Sequence, residues 1–410
     1  AFIMLATDVA PAWAQTIVWT KQFGTWNHDY VWGIDVYGSA FYITGYTYVA
    51  LPGQISKGGA DAYVRKYDLN GKEIWTRQFG TPSDDYGLAI SVDSSGVYVS
   101  GETKGAFPGQ TNNGGSDAFV CKYDAYGNLK WTRQFGSSVR DNALGVAVYG
   151  GGVYVVGQGI LPPYPFSGGY YIMAPFYVRK YDVYGNHKWT SIFGGIFALT
   201  QGSATGVAVY GSSVYIVGYS TTTLPGQTPG PSDGFVYKYD TSGKYKWAKY
   251  IVTSSEDVAC GVAVSSSGYA YVAGFTYGAL PGQTKKGGED AFVRKYDAYG
   301  NVKWTRQFGS SSDDSAYAVA IYGSGIYVAG ETWGTLPGQT KKGQVDPYVR
   351  KYDAYGNVKW TKQYGTYYRD GAKTISAASS GVFAAGITEG AFSGYTNKGG
   401  RDVFISKFLL

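Results

Sequence analysis

Short runs in which apolar and polar residues alternate recur along the whole chain. The clearest set is Asp314 to Tyr322, Gly325 to Thr332, Asp346 to Asp353 and Asn357 to Tyr364, each bounded by Gly, Asn, Asp or Pro. Runs of this length, rich in Val, Ile, Tyr and Thr and set between turn formers, predict strands, four to the set. The set itself repeats. Trp19, Trp75, Trp131, Trp189, Trp247, Trp304 and Trp360 recur at spacings of 56, 56, 58, 58, 57 and 56 residues, so seven copies fill the chain. Four strands at such a period predict radial blades, and the expected fold is all-β: a seven-bladed β-propeller of four-stranded antiparallel blades.

Side-chain size orders the strands. Ala316, Ala318 and Ala320, like Ala259, Gly261 and Ala263, are small, as an innermost strand requires where blades crowd the axis. The Trp-bearing run is bulky, with Trp304 and Phe308 on one face by the period of two, which suits the wider gap at the rim. The seven tryptophans are thus expected to pack between blades. Tyr296-Asp-Ala-Tyr-Gly-Asn301 is a tight turn that pairs third and fourth strands as a hairpin. The regular pattern opens on an outer strand, Thr16 to Phe23, and ends on a third strand, Asp402 to Phe408. These two are expected to pair, closing the ring and removing an open sheet edge.

Composition adds exclusions. Lys and Arg number 35 against 29 Asp and Glu, and the surplus is scattered through the repeats, which argues against a nucleic-acid surface. The two cysteines, Cys121 and Cys260, fall in repeats on different sides of the expected ring, so no disulfide is expected. No Cys/His spacing suits a metal, no cofactor is implied, and no run is long enough to span a bilayer as a helix. Residues 1–15 read as a signal-peptide remnant, with small residues around Ala12-Trp-Ala14, or as a retained apolar arm; residues 16–410 form the propeller.

The repeat Asp-Ala-Phe-Val-x-Lys-Tyr-Asp-x-x-Gly-Asn-x-x-Trp-Thr, followed by Asp-x-x-x-x-Val-Ala-Val and Val-Tyr-Val-x-Gly-x-Thr, resembles the SBBP β-propeller repeat family of bacterial and archaeal extracellular proteins. The resemblance covers residues 16–410. It implies a propeller in an extracellular or cell-surface setting and lends no common chemistry, so function has to be argued from the site.

Chemistry-bearing residues are sparse. His28 and His187 fall in different blades and read as surface or turn residues. An Asp opens the innermost strand in six repeats, at Asp29, Asp85, Asp141, Asp257, Asp314 and Asp370, with Gly202 in the remaining place. This could be a carboxylate ring at the channel, but an Asp before a strand more often accepts backbone N–H bonds in its own turn. A second series, Asp61, Asp117, Asp233, Asp290, Asp346 and Asp402, opens the third strand and has the same reading; Ala174 or Pro175 interrupts it in the third repeat.

Departures from the repeat point to a partner. The usual Leu-Pro-Gly-Gln-Thr loop becomes Ile160-Leu-Pro-Pro-Tyr-Pro-Phe-Ser-Gly-Gly-Tyr-Tyr-Ile172, and the next connection becomes the apolar Gly194-Gly-Ile-Phe-Ala-Leu-Thr200. On one face of the disc these would gather Tyr164, Phe166, Tyr170, Tyr171, Ile196, Phe197 and Leu199 as a partner-binding patch, unless the loops bury each other. Lys285-Lys286 and Lys341-Lys342 lie on the same face as candidates for an acidic polysaccharide or as solvated loop tips. The expected function is that of a secreted or cell-surface, non-catalytic adhesion, assembly or structural module that binds a protein or itself. The alternatives are a multivalent carbohydrate-binding propeller and, further off, a polysaccharide-acting enzyme with a cleft of non-repeated Asp, Glu, Tyr and Arg.

Overall fold

In the computed structural model the described residues are 15–159, 164–166, 169–171, 175–194, 202–221 and 231–410, with the backbone alone for 164–166 and 169–171. They form seven four-stranded antiparallel sheets and one two-stranded ribbon, without a helix. Residues 1–14 and the 195–201 segment lie outside the described residues.

Each sheet is read in chain order from axis to rim. Blade one runs Asp29–Tyr37, Ala40–Thr47, Asp61–Asp68 and Glu73–Phe79, each strand pairing with the next. The innermost strands of blades two to seven are Asp85–Asp93, Asn142–Tyr149, Gly202–Tyr210, Asp257–Val264, Asp314–Tyr322 and Asp370–Ala378. Blade seven closes the ring: Ile17–Phe23 lies antiparallel beside Asp402–Phe408, in register from Trp19 opposite Lys407 to Phe23 opposite Val403, with a shift of one residue before Ile17 meets Phe408. Gln22 on that strand donates to Asp402 Oδ2 at 2.9 Å and to Gly390 O at 3.0 Å, and accepts from Phe392 N–H at 2.9 Å. Gln363 makes the corresponding bonds to Asp346, Gly334 and Leu336 within blade six. The strand from the other end of the chain therefore fits blade seven as a native outer strand does.

The core is divided among the gaps between blades. Val, Ile, Phe and Tyr from facing sheets fill them, as where Val64, Val97 and Phe119 meet between blades one and two. The half-buried tryptophans cover the outer end of each gap. Trp304 Nε1 donates to Ala354 O of the next blade at 3.1 Å, and Trp75, Trp131 and Trp247 do the same to Ala125, Val183 and Ala298. The indole lies on the glycine of that blade's turn: a Cβ on Gly356 would stand 2.9 Å from Trp304 Cδ2. Gly356 has φ +81°, which a side-chain-bearing residue resists, so this turn needs glycine for both reasons. Trp360, in the blade before the closure, stacks on Phe408 instead.

Candidate functional site at the channel mouth

Every innermost strand carries one β-bulge, and at the same place. The register slips between Val31 and Gly33, Gly87 and Ala89, Ala143 and Gly145, Ala204 and Gly206, Ala259 and Gly261, Ala316 and Ala318, and Ala372 and Thr374. A bulge sets two residues against one and turns the extra side chain out of the pleat. The seven extra residues are Trp32, Leu88, Leu144, Thr205, Cys260, Tyr317 and Lys373, and all seven line the axial channel, of about 450 Å3. The bulge also splits the alanine run: Ala316 packs toward blade five, whereas Ala318 and Ala320 pack toward blade seven.

Around this ring the neighbouring positions differ from blade to blade. Between blades one and three a cleft of about 570 Å3 is lined by Trp32, Tyr46, Tyr48, Tyr86, Leu88 and Leu144 on the apolar side. Its polar side is Glu102, Lys104, Ser116 and Arg140. Arg140 holds Glu102 with two bonds, Nε to Oε1 at 3.0 Å and a terminal nitrogen to Oε2 at 2.8 Å. Lys104 Nζ meets Asp84 Oδ2 at 2.8 Å, which holds the Asp84 carboxyl below its ordinary range. Tyr46 stacks on Tyr30 at 4.6 Å and meets Tyr86 edge-on at 4.8 Å, so the aromatic wall is braced from behind.

Across the mouth, blades five to seven bring together Cys260, Glu289, Ser315, Tyr317, Glu331, Arg369 and Lys373. Lys373 Nζ lies 2.6 Å from Glu331 Oε2, Tyr317 donates to Glu331 Oε1 at 2.9 Å, and Arg369 stands 3.8 Å away. Ser315 donates to Glu289. Burial, with Glu331 adding to it, pushes the Tyr317 hydroxyl far above its ordinary range. Burial pushes the Cys260 thiol up to about 12 and raises the Glu289 carboxyl. This is the gathering of non-repeated acid, Tyr and Arg residues that no stretch of sequence displays, because its members come from three blades.

The residues singled out from sequence take these places. The inner aspartates Asp29, Asp85, Asp141, Asp257, Asp314 and Asp370 are fully buried and none lines the channel. Each caps its own incoming turn, as Asp85 Oδ2 does by accepting from Thr81 N–H at 2.6 Å and Thr81 Oγ1 at 3.0 Å. Apart from Asp233, whose preceding loop lies outside the described residues, the second series caps the loop before the third strand: Asp61 accepts from Lys57 N–H and Gln78 Nε2, both at 2.8 Å. The two series meet at the blade junctions, where burial and the facing Asp61 together push Asp85 up to about 6. Pro175 and Gly202 replace both members between blades three and four.

Of the histidines, His28 bridges to Arg401 on the channel-mouth side, and His187 pairs with Thr190 at 2.8 Å on the other. Cys121, buried, and Cys260, half-buried, are both free thiols. The Lys285-Lys286 and Lys341-Lys342 pairs are exposed loop tips whose backbones are held by Asp290 and Asp346. Of the predicted patch, Tyr164, Phe166, Tyr170 and Tyr171 belong to the ribbon Tyr164–Phe166 and Gly169–Tyr171, whose side chains are outside the description. Ile196, Phe197 and Leu199 lie outside the described residues altogether. Sequence reading missed the bulge ring, whose one signal is that the residue after each repeated Val, Gly or Ala varies in type.

Comparison with known proteins agrees with this architecture. The regulatory protein FlaEY of Caulobacter vibrioides (strain ATCC 19089 / CIP 103742 / CB 15) is 28% identical over 322 residues, covering 70% of this chain and 33% of FlaEY. The chain thus spans about a third of the length of that relative. Among solved structures, polysaccharide lyase Uly1 superposes with TM-score 0.52 at 10% identity over 97% of this chain and 99% of its own. Drosophila Plexin A, in complex with Semaphorin 1b, superposes with TM-score 0.51 at 8% identity over 95% and 87%. At such identities the likeness shows the fold alone. Residues 74–108 match the family model SBBP, described as a beta-propeller repeat, and the chain is thereby shown to carry that repeat within its seven-bladed ring.

Proposed function

We propose that this chain is a non-catalytic recognition propeller, working as an adhesion or assembly module outside the cell or on its surface, and that it engages its partner through the channel-mouth face. One observation carries the reading. The seven bulged positions hold six residue types on one ring, whereas the exposed tyrosines on the opposite face, Tyr126, Tyr184, Tyr299 and Tyr355, recur at one turn position. Residues needed by the fold repeat, and residues that serve a single ligand need not. Loops on one rigid face are also where a scaffold places recognition.

The Glu331 cluster supports a structural part for the acids rather than an acid–base one. Its carboxylate is occupied by Lys373 and Tyr317, the phenol is too weak an acid to serve as a base near neutrality, and the Cys260 thiol stays protonated. A general base needs a pKa near the working pH and access to the proton it takes. The regulatory relative is consistent with a binding role.

Exposed Trp26 and Tyr367 lie in the loops that enter the innermost strands Asp29–Tyr37 and Asp370–Ala378, and exposed Trp333 follows Thr332 on the same face. The test compares surface attachment by three forms: the wild type, a channel-face variant with Trp26, Trp333 and Tyr367 changed to Ala, and an opposite-face variant with Tyr126, Tyr299 and Tyr355 changed to Ala. Attachment, or self-association measured by light scattering, should fall in the channel-face variant alone. Equal loss in both, or loss only in the opposite-face variant, rejects this assignment of the face.

A further inference from the structure

The cleft between blades one and three has three properties that together narrow its ligand. Its aromatic residues are open: Trp32 is 40% exposed and Tyr48 is 37% exposed, although each sits in a wall whose other members are buried or half-buried. Tyr48 meets Tyr46 edge-on at 5.9 Å, and Tyr46 is held in turn by Tyr30 and Tyr86, so a ring kept at the cleft surface in this way loses little freedom when something lies on it. The face of an aromatic ring is electronegative, so it attracts an apolar surface edged with slightly positive hydrogens.

The second property is charge. Arg140 is matched to Glu102 and Lys104 to Asp84, so the cations of the cleft are cancelled by carboxylates already in contact. An anionic ligand on Arg140 would lie beside the Glu102 carboxylate already bonded to the same guanidinium and would be repelled by it, at a cost in free energy. That cost opposes an acidic ligand. The pair is still open to hydrogen bonding, because the Arg140 side chain is 68% exposed. The exposed guanidinium offers donors side by side, held in orientation by the buried carboxylate, which suits the oxygens of adjacent hydroxyl groups.

The third property is size. A cleft of about 570 Å3 falls in the range of small-molecule sites.

We infer that this cleft binds a neutral pyranose unit of a glycan, with the apolar face of the sugar on Trp32 and Tyr48 and its hydroxyls on the Glu102–Arg140 pair. A pyranose has a C–H face for the aromatic rings, paired hydroxyls for the ion pair and no charge to disturb it. The inference rests on the proposed recognition role of this face and names its ligand class. Among the described residues the site is single, because only blade one sets aromatic rings at all three positions: Tyr46 is matched by Tyr219 in blade four and Phe275 in blade five, but Trp32 is Thr205 and Cys260 there, and in blade six, where Tyr317 and Trp333 flank it, the Tyr46 position is Glu331.

The experiment is titration of the purified chain with neutral oligosaccharides of three to six units, drawn from gluco-, manno-, xylo- and N-acetylglucosamine series. Oligogalacturonates serve as the acidic comparison and a random heptapeptide pool as the peptide one. Saturation-transfer NMR and calorimetry give the readouts. A neutral series should bind at one site per chain. Trp32→Leu and Tyr48→Ala should each weaken it at least tenfold, and Glu102→Gln should weaken it too. Leucine is already the bulged residue of blades two and three, so Trp32→Leu keeps the fold, which an unchanged unfolding midpoint verifies.

No binding by any neutral series, binding that Trp32→Leu leaves unchanged, or tighter binding of the oligogalacturonates or peptides overturns the inference. Periodate treatment of the target surface separates this from failure of the recognition role. Attachment that survives glycan oxidation yet falls in the channel-face variant rejects the sugar and keeps the face; attachment indifferent to both rejects both.

Discussion

The seven tryptophans occupy one repeat position, yet they are not energetically equal, and Trp304→Ala against Trp360→Ala measures the difference. Trp304 is half-buried: one face rests on Gly356, Nε1 bonds Ala354 O at 3.1 Å, and the Arg306 guanidinium, bonded to Gly356 O at 2.7 Å, lies 5.5 Å from the ring centroid. A fully buried Trp→Ala costs about 3–5 kcal/mol. With part of its surface already in water, Trp304→Ala should cost about 2–3 kcal/mol, of which about 1 kcal/mol is the lost hydrogen bond. Trp360 is 9% exposed, packs in the core between blades six and seven, and stacks on Phe408 at 6.2 Å and 22°. Its replacement leaves a cavity in the gap that holds the chain's C-terminal strand, and should cost the full ~3–5 kcal/mol. Guanidinium unfolding followed by far-ultraviolet circular dichroism, with the slope checked for a single transition, gives both values. A Trp304→Ala cost below about 0.5 kcal/mol, or a Trp360→Ala cost no larger than that of Trp304→Ala, refutes the view that the ring is packing graded by burial.

Other consequences follow from the same geometry. Gln22→Ala removes three hydrogen bonds from the closing blade and leaves Asp402 and two backbone groups short of partners, so stability should fall by about 2–3 kcal/mol; an unchanged midpoint would sink the closure model. Deleting Thr16–Phe23 should abolish the single cooperative transition. Gly356→Ala should cost about 1–3 kcal/mol from its φ of +81° alone, with the contact to Trp304 added, as read by the same unfolding assay. Asp35, Asp85, Asp233 and Asp370 are each pushed up to about 6, above the 3.8 of an unfolded chain, chiefly by burial. The folded state therefore holds extra protons between pH 4 and 6, and the contribution of these groups is full below pH 4 and lost as pH rises through 6. The thermal midpoint should rise when pH is lowered from 7.5 to 5, and Asp85→Asn should flatten part of that rise; a midpoint that falls over this interval contradicts the burial argument.

Much of the fold is legible because a propeller writes its core into every repeat. The Trp spacing, the four alternating runs and the orphan strand at Thr16–Phe23 are local patterns, and seven copies average out the ambiguity of any one. The turn roles of Asp85 and Asp61 are legible for the same reason, since an aspartate capping a turn acts on residues four positions away or fewer. The carboxylate pair that the two series form is less so: Asp85 and Asp61 lie 24 residues apart and meet only where one blade follows another.

By itself the sequence determined the number of blades, the order of strands from axis to rim, and the closing strand, because these follow from side-chain size and from alternation along single strands. Only the tertiary structure decided which residues face the channel. One bulge per innermost strand turns Trp32, Leu88, Leu144, Thr205, Cys260, Tyr317 and Lys373 to the axis, where strict alternation would have kept a uniform run of small residues. Only the packing of successive blades sets Trp32 and Tyr48 of blade one beside Glu102 of blade two and Arg140 of blade three. A bulge is a defect of pairing between two strands, and a cleft is a relation among three blades. Neither is a property of any contiguous stretch of chain, and the residues that distinguish this propeller occupy the positions its repeat leaves free to vary.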